Sequence, residues 1–526
     1  MPTPRPNRWW MLGAVSAATF MLLLDVTVVN VALPDIQRTL HASFFDLQWV
    51  VDAYALTLAA FLLGAGTLAD QFGRRRVFTC GLALFTLASL LCGLAPNPVV
   101  LNLARATQGV GGAVMYAVAP ALIANDFHGR MRGVAFGISG GVTGLAVAIG
   151  PLLGGALTAV SWRWVFLLNV PVGVAVTLVL LTRVGESRDL ERRRIDWPGV
   201  ATFSAALTTL VFALIRGEQE GWTSPLIISL FASSAVLLVV FVWIERTRRD
   251  PMFDLGLFRN LSFNGLSLST LAINAAINVA LLFQILYVQD VLGFSAFQTG
   301  LRYLPLTIVV FLAAAVAGTL SARIPARLFL GLGSTALGIG LLVTGGLDQG
   351  STWTDLVPGM VISGFGMGLF NPARAATAVA LVPLSRAGMS SGVSETFQQG
   401  GVAIGVAALG SAAHSQIRDT VATTVAASGQ FTTEQAHSIG ALVSAGRLPE
   451  IASTVPAAQR PIVAAAANQA LIDGLQVVLT TGGIVAIAGG LIGFLLVRGR
   501  DMHVPSDMHK HPASRPSPQP QPTSHR

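Results

Sequence analysis

In FMLLLDVTVVNVALP, residues 20 to 34, a lone carboxylate, Asp25, stands in a run that otherwise reads as the middle of a membrane helix. Charged groups at such depth almost always face the interior of a helical bundle and one another. At 1.5 Å per residue, Asp25 lies about 24 Å along a helix begun at Trp9, in the outer half of the bilayer. Arg105 and Asp52 occupy other apolar stretches at a similar level, and Glu395 lies roughly six residues into a later one. Burial disfavours an ionised carboxylate and a neighbouring guanidinium favours it, so Asp25 beside Arg105 can hold either a proton or a cationic ligand, but not both. The plainer use of the same residues is a static ion pair between helices, although buried pairs stabilise poorly because each ion costs several kcal/mol to desolvate. For Glu395 two uses stay open: proton or cation binding, and snorkelling to the aqueous interface.

The surrounding composition is that of an integral membrane protein. Of 526 residues, 53% are hydrophobic and 11% charged, where a soluble domain has roughly 25% charged. The net charge of +8 comes from basic residues in short loops between apolar spans, so topology accounts for it and no nucleic-acid partner is expected. No small-residue cleavage site precedes the first apolar run, which is expected to act as its own insertion signal. Cys80 and Cys92 are too far apart along one helix for a disulfide. A bilayer core needs about 20 apolar residues per helix. That scale predicts fourteen spans, near 9–33, 47–69, 77–95, 99–122, 133–157, 164–182, 197–215, 224–244, 263–289, 301–322, 326–347, 355–378, 389–411 and 472–497. The tails and alternate loops hold 24 of the 33 basic residues, which predicts that both termini are cytoplasmic. The segment 412–471 reads as one long external loop, in which TTEQAHSIGALVSAG can form a short helix stopped by Gly446, and Asp473 reads as an interface residue. Residues 499–526, rich in Pro, Ser and His, read as a disordered tail.

The chain also repeats itself. GTLADQFGRRR from Gly66 is echoed by GTLSARIPARL from Gly318, and RGVAFGISGGVTGLAVAIG from Arg132 by AGMSSGVSETFQQGGVAIG from Ala387. Gly109 and Gly111 return as Gly364 and Gly366. The repeat predicts two parallel six-helix halves, residues 1–190 and 261–498, with two extra helices and a linker at 191–260 between them. Rocking one half against the other would expose a midplane site to alternate sides.

Several of these segments resemble a known family. GTLADQFGRRR is similar to the loop signature of the major facilitator superfamily. LDVTVVNVALP, LARATQGVGGA and AIGPLLGG followed by WRWVFLLNVPVG are similar to the first-, fourth- and fifth-helix motifs of its fourteen-helix drug:proton antiporter branch (QacA/EmrB-like). Ala146 stands where the fifth-helix motif usually has glycine. The resemblance implies an all-α membrane protein of the major facilitator fold, with the first-helix Asp25 and fourth-helix Arg105 coupling protons to transport. It also implies that the loop at Gly66 locks the halves together, with Asp126 as the carboxylate partner at the end of the fourth helix.

From the residues themselves, Gly66 and Gly73 allow close approach and a sharp turn, Asp70 can cap a neighbouring helix N-terminus, and Arg74 anchors the inner face. Gly150 and Gly154, with Gly137 and Gly141, give small-residue spacing in the fifth span, and Pro151 removes a backbone bond there, so a sealed packing surface between the halves is expected. Ser267, Thr270, Asn274 and Asn278 form one stripe of the ninth span. In the resembled family the first and fourth helices of each half line the cavity, which makes Met21, Tyr116, Asn274, Asn278, Phe365 and Asn371 candidate substrate contacts. The expected function is proton-coupled efflux of amphipathic or cationic drugs by a monomer, with small molecules, protons and lipid as partners and no cofactor. Export of one particular metabolite, facilitated import and a receptor role are the alternatives. An enzyme is not expected: the histidines show no paired intramembrane spacing, and no nucleophile has an evident base.

Overall fold

In the computed structural model, the residues described are 8–186, 196–248, 251–321, 323–444 and 455–502. They form helices joined by short connections, with no strand among them. The N-terminal helices are α1 (Arg8–Leu40), α2 (Phe44–Phe72), α3 (Arg74–Gly93), α4 (Pro98–Asp126), α5 (Arg130–Thr158), α6 (Arg163–Leu167) and α7 (Asn169–Arg183). Next come α8 (Trp197–Glu220) and α9 (Pro225–Thr247). The rest are α10 (Leu261–Leu286), α11 (Ala296–Arg302), α12 (Leu304–Leu320), α13 (Ala326–Thr344), α14 (Val357–Ala380), α15 (Ala387–Gly405), α16 (Ser411–Ala427), α17 (Thr433–Ser444) and α18 (Arg460–Leu496). Local chemistry sets several starts. Ser43 and Asp46 make a reciprocal capping box on α2, Asn97 caps α4 ahead of Pro98, and Ser224 caps α9 ahead of Pro225.

Each of the fourteen expected spans coincides with helix, and eleven helices among the described residues are long and apolar enough to cross a membrane. The sixth expected span is the broken pair α6 and α7, and the tenth is α11 and α12 with Pro305 at the break. The described residues of the segment 412–471 are mostly helical, where one long loop is expected. α15 continues through a five-residue π segment, Val406–Gly410, into α16, and α18 is 37 residues long, beginning at Arg460 instead of near 472. α16 buries Ile417, Val421 and Val425, α17 buries Ala436, Ile439 and Val443, and α18 buries Val463, Ala466 and Ala470. Such narrow stripes stabilise packed helices without amounting to a 20-residue apolar run, so a span scan passes over them. Gly446 lies outside the described residues, as does the boundary at 190/191. Asp473 sits well inside α18, accepting hydrogen bonds from Gln469 Nε2 at 2.8 Å and Thr420 Oγ1 at 3.3 Å. The tail does not lose order at 499. Gly499–Asp501 form a turn fastened to α10 by Ser262 Oγ, which donates to Asp501 Oδ2 at 2.6 Å, while residues 503–526 lie outside the described set.

The buried apolar side chains divide by half. Two clusters draw on residues between Met11 and Val184, joined only by Val379 and Ala387, and a third draws on residues between Phe241 and Val497, joined by Leu63. Two seams connect the halves. In one, Gly66 of α2 meets Gly388 of α15 so closely that a Cβ on either would collide with the other's carbonyl oxygen; in the other, Gly318 of α12 meets Gly133 of α5 in the same way. Gly66 and Gly318 are repeat equivalents, and so are Gly133 and Gly388. The duplication therefore produces two like contacts related by the pseudo-symmetry. α8 lies along α2, with Trp49 stacked on Phe212 at 5.9 Å and Val200 against Gly64, while α9 packs on α8 and exposes Val236, Val239 and Trp243.

Candidate functional site

Asp25 and Arg105, and Glu395 and Arg374, form two separate arrangements. Within the N-terminal half, Arg105 of α4 donates from Nη1 to Asp25 Oδ2 at 2.6 Å and to Gln108 Oε1 at 2.8 Å, and from Nε to the Val50 carbonyl at 2.8 Å. Asp25 Oδ1 accepts from Gln108 Nε2 at 3.0 Å and Asn169 Nδ2 at 3.1 Å. Gln108 and Asn169 both also donate to Ser89 Oγ, which in turn donates to the Phe166 carbonyl. The guanidinium lies 4.2 Å from the centre of the Tyr54 ring. Asp25, Arg105, Gln108, Ser89 and Asn169 are all buried, and each carboxylate oxygen of Asp25 is satisfied. The five side chains of this closed network come from four helices, and a static fastener and a proton site poised by conformational change both begin from it.

The second arrangement lies between the halves. A cavity of about 70 Å³ is lined by Tyr116 of α4, Ser139 and Thr143 of α5, and Asn371, Arg374, Glu395 and Gln398 of the C-terminal half. Arg374 donates from Nη2 to Glu395 Oε1 at 3.0 Å and from Nη1 to Ser394 Oγ at 2.8 Å, and Gln398 Nε2 donates to Tyr116 Oη at 2.7 Å across the seam. Glu395 Oε2, Gln398 Oε1 and Arg374 Nε are buried without a hydrogen-bond partner. Unsatisfied groups of both signs on one wall are costly unless a mobile occupant completes them.

At the end of the bundle carrying Arg74–Arg76 and Arg386, here termed the basic end, Asp70 closes the α2–α15 seam. Its Oδ1 accepts from the Gly388 N–H at 3.0 Å and its Oδ2 from the Met389 N–H at 2.9 Å, capping α15. Arg74 holds Asp70 through Nη2 at 2.9 Å and Nε at 3.1 Å and also donates to the Leu384 carbonyl. Gly73, at φ +105°, makes the turn between α2 and α3, and Glu186 accepts from the N–H groups of Arg75 and Arg76 at the start of α3. Glu186 gave no signal in the sequence because it lies about 110 residues from the amides it caps.

A family model described as Major Facilitator Superfamily matches residues 15–406. The chain belongs to the major facilitator superfamily. Among its relatives, the "Multidrug resistance protein Stp" of Mycobacterium tuberculosis is 39% identical over 76% of this chain and 75% of that protein. The "Puromycin resistance protein pur8" of Streptomyces alboniger is 37% identical over 77% of this chain and 82% of that protein. The crystal structure of the human organic anion transporter MFSD10 superposes with a TM-score of 0.60 at 14% identity, covering 93% of this chain and 100% of that one, which shows the shared fold. As a major facilitator protein the chain is a multi-pass membrane transporter and not an enzyme.

Within this major facilitator frame, several expected site residues fall elsewhere. Asp52 is not part of the Asp25 network: Arg105 donates to Asp25, Gln108 and the Val50 carbonyl. Asp126 does not meet Arg74 in this structure: it accepts from Asn125, and Arg74 is taken up by Asp70 and the Leu384 carbonyl. Glu395 does not snorkel, being 2% exposed and paired to Arg374. Gly150 and Gly154 pack on Thr27 and Val31 of α1 within their own half. The glycines of α5 that meet α12 are Gly133, Gly137, Gly141 and Gly144. Pro151 lies in α5, but its side chain is outside the described set. Of the substrate candidates, Tyr116 and Asn371 line the cavity, while Met21 is in the N-terminal core and Phe365 is 47% exposed and outside the cavity lining. Asn274 and Asn278 donate to carbonyls one turn back in α10, at 2.8 and 3.0 Å. Arg374, Gln398, Gln108 and Asn169 are site residues that the sequence does not single out; an apolar-run reading registers Arg374 only as a charge inside a span.

Proposed function

We propose that this transporter is a proton-coupled multidrug efflux antiporter of the fourteen-helix branch, exporting amphipathic or cationic compounds by alternating access. It would reside in the cytoplasmic membrane as a monomer with both termini, and hence the basic end, in the cytoplasm. The observation that carries this reading is Glu395. It is an acid in a cavity shared by both halves, with one oxygen held by Arg374 and the other unpartnered, beside Tyr116 and Gln398. Either a proton or a cationic substrate completes that oxygen, and the two compete for it. Asp25 and Arg105 supply the coupling element in the N-terminal half, and the Asp70 latch holds the basic end shut while the site faces outward. The multidrug resistance named in the Stp relative supports the broad substrate range. Export of a single compound is the second reading, favoured by a relative named for puromycin alone.

Proteoliposomes loaded with a pH-sensitive dye test this directly. Substrate-dependent proton movement supports antiport, and turnover indifferent to collapse of the gradient rejects it. Glu395→Gln keeps the size and the Arg374 hydrogen bond but not the charge. It is expected to slow export of permanently charged substrates at least about tenfold, the equivalent of about 1.4 kcal/mol, while neutral substrates are much less affected. Equal loss for both classes would remove Glu395 from cation recognition.

A further inference from the structure

The two extra helices carry a pair of buried acids that the transport cycle described above does not use. Asp196 caps α8, its Oδ1 accepting from the Gly199 N–H at 3.1 Å, and Glu245, near the end of α9, accepts through Oε2 from the Phe253 N–H at 3.1 Å. Asp196 is 3% and Glu245 4% exposed. The remaining oxygens, Asp196 Oδ2 and Glu245 Oε1, are both buried and without a hydrogen-bond partner. They converge on Gly199, where an added Cβ would stand 2.7 Å from the first and 2.8 Å from the second. Arg248, at the end of α9, is the one cation facing the pair among the described residues. Its Nε is 3.7 Å from Asp196 Oδ1 and its side chain is half-exposed. The neighbouring Arg246 and Arg259 are exposed, and Asp254 is engaged with Arg386. Among the described residues, one cation thus faces two carboxylates whose free oxygens both border the same point beside Gly199, no more than about 5.5 Å apart, where their like charges repel and a proton on either relieves the other. Two free oxygens are too few to cage a metal ion, whereas one proton between them makes a single charge-assisted O–H···O bond.

From this pair a continuous path leads to the basic-end latch. Glu245 holds the backbone of Phe253, whose side chain is buried against Phe263 of α10. The next residue, Asp254, accepts from Arg386 Nη1 at 2.5 Å. Arg386 ends the short 3₁₀ turn Leu384–Arg386, whose Leu384 carbonyl is held by Arg74 and whose following residues, Gly388 and Met389, are capped by Asp70.

We propose that Asp196 and Glu245 hold one proton between them, and that its loss to bulk water loosens residues 251–254 and, through Arg386, the Asp70 latch. With the proton bound, the acids stay together on Gly199. When the carboxylic O–H bond breaks and the proton leaves, like charges force them apart and Phe253 is released. The regulatory part of this proposal rests on the latch reading above; the proton itself does not.

Two measurements on the purified full-length protein, made without substrate or gradient, test it. Infrared titration reads the C=O band of a protonated carboxylic acid. Parent minus Glu245→Gln, and parent minus Asp196→Asn, should each contain such a band that disappears as pH rises; difference spectra holding only ionised carboxylate at every pH would overturn the shared proton. Gln still accepts from Phe253, so Glu245→Gln keeps the linker bond, and Asp196→Asn serves as the independent check if it folds poorly. The latch is read by alkylation of Met389→Cys in a Cys80→Ala background, Cys92 being buried. Labelling, taken relative to that of a fully exposed cysteine at each pH so that thiolate formation cancels, should speed up about tenfold between pH about 6 and about 8, the response of one coupled proton whose affinity changes by about one pH unit between latch states. Glu245→Gln should abolish that dependence. Arg386→Gln should abolish it too while leaving the infrared band in place. A labelling rise unchanged in Glu245→Gln would overturn the coupling. Failure of antiport in liposomes would leave both readings intact, so the two proposals fail separately.

Discussion

Asp25→Asn is expected to abolish proton-driven export in inverted vesicles, and the companion variant Asp25→Asn/Arg105→Gln shows why. The single change leaves the Arg105 guanidinium buried, with Gln108 and the Val50 carbonyl as acceptors but no counter-charge. Breaking a buried pair in this way costs roughly 3–5 kcal/mol, so the single variant should also reach the membrane in reduced amount. The double variant removes the stranded charge and should recover yield and thermal stability. If Asp25 couples protons to substrate, transport stays absent in the double variant despite the recovered fold. If the pair only fastens α1 to α4, transport returns with its proton dependence, and the coupling role is lost. Yield and transport are measured on the same vesicles, so stability and chemistry are read independently.

Asp70→Ala is expected to open the basic end. The side chain makes two hydrogen bonds to the start of α15 and two to Arg74, and all of them bridge or support the seam between halves. Their loss leaves Arg74 buried with only the Leu384 carbonyl and leaves two helix N–H groups uncapped. At roughly 3–5 kcal/mol for a broken buried pair, the closed arrangement should lose at least about 100-fold in relative population. Alkylation of Met389→Cys should rise accordingly while transport falls. Asp126→Asn is the control: its carboxylate meets only Asn125 among the described residues, so labelling should change little, within about 0.5 kcal/mol. A large effect at Asp126 with none at Asp70 would return the latch to the carboxylate that the family resemblance points to.

These two cases show what could be read from residue types and what could not. Asp70 as a helix cap was legible because the function needs only a short acid beside a glycine turn, whatever helix it meets. The pairing of Asp70 with Arg74 was available from their spacing of four residues, although the resemblance points to Asp126; what the sequence did not show is that the same carboxylate also takes up the first N–H groups of α15, because only the path of α15 brings them there. The repeat made the seam legible: aligning Gly66 with Gly318 and Gly133 with Gly388 names four glycines, and packing joins them in two like contacts. By contrast, Gly150 and Gly154 have the same spacing as the seam glycines but point to α1, since spacing marks a helix face without saying which neighbour covers it. Asn274 and Asn278 formed a polar stripe that suggested a cavity, yet each turns its amide N–H onto a carbonyl of its own helix.

Apolar run length, the distribution of arginines and the duplicated motifs determine a helical transporter in two halves, because membrane insertion responds to local composition and duplication survives in local sequence. Which acids are sealed and which are available was decided by tertiary structure alone. Asp25 and Glu395 look alike in the sequence, as single carboxylates in apolar helices. Folding surrounds Asp25 with Arg105, Gln108 and Asn169 from two other helices, while it leaves one Glu395 oxygen open in a cavity between the halves. The deciding partners of these two carboxylates come from residues 21 to 144 positions away along the chain, so no local pattern reports whether either is satisfied.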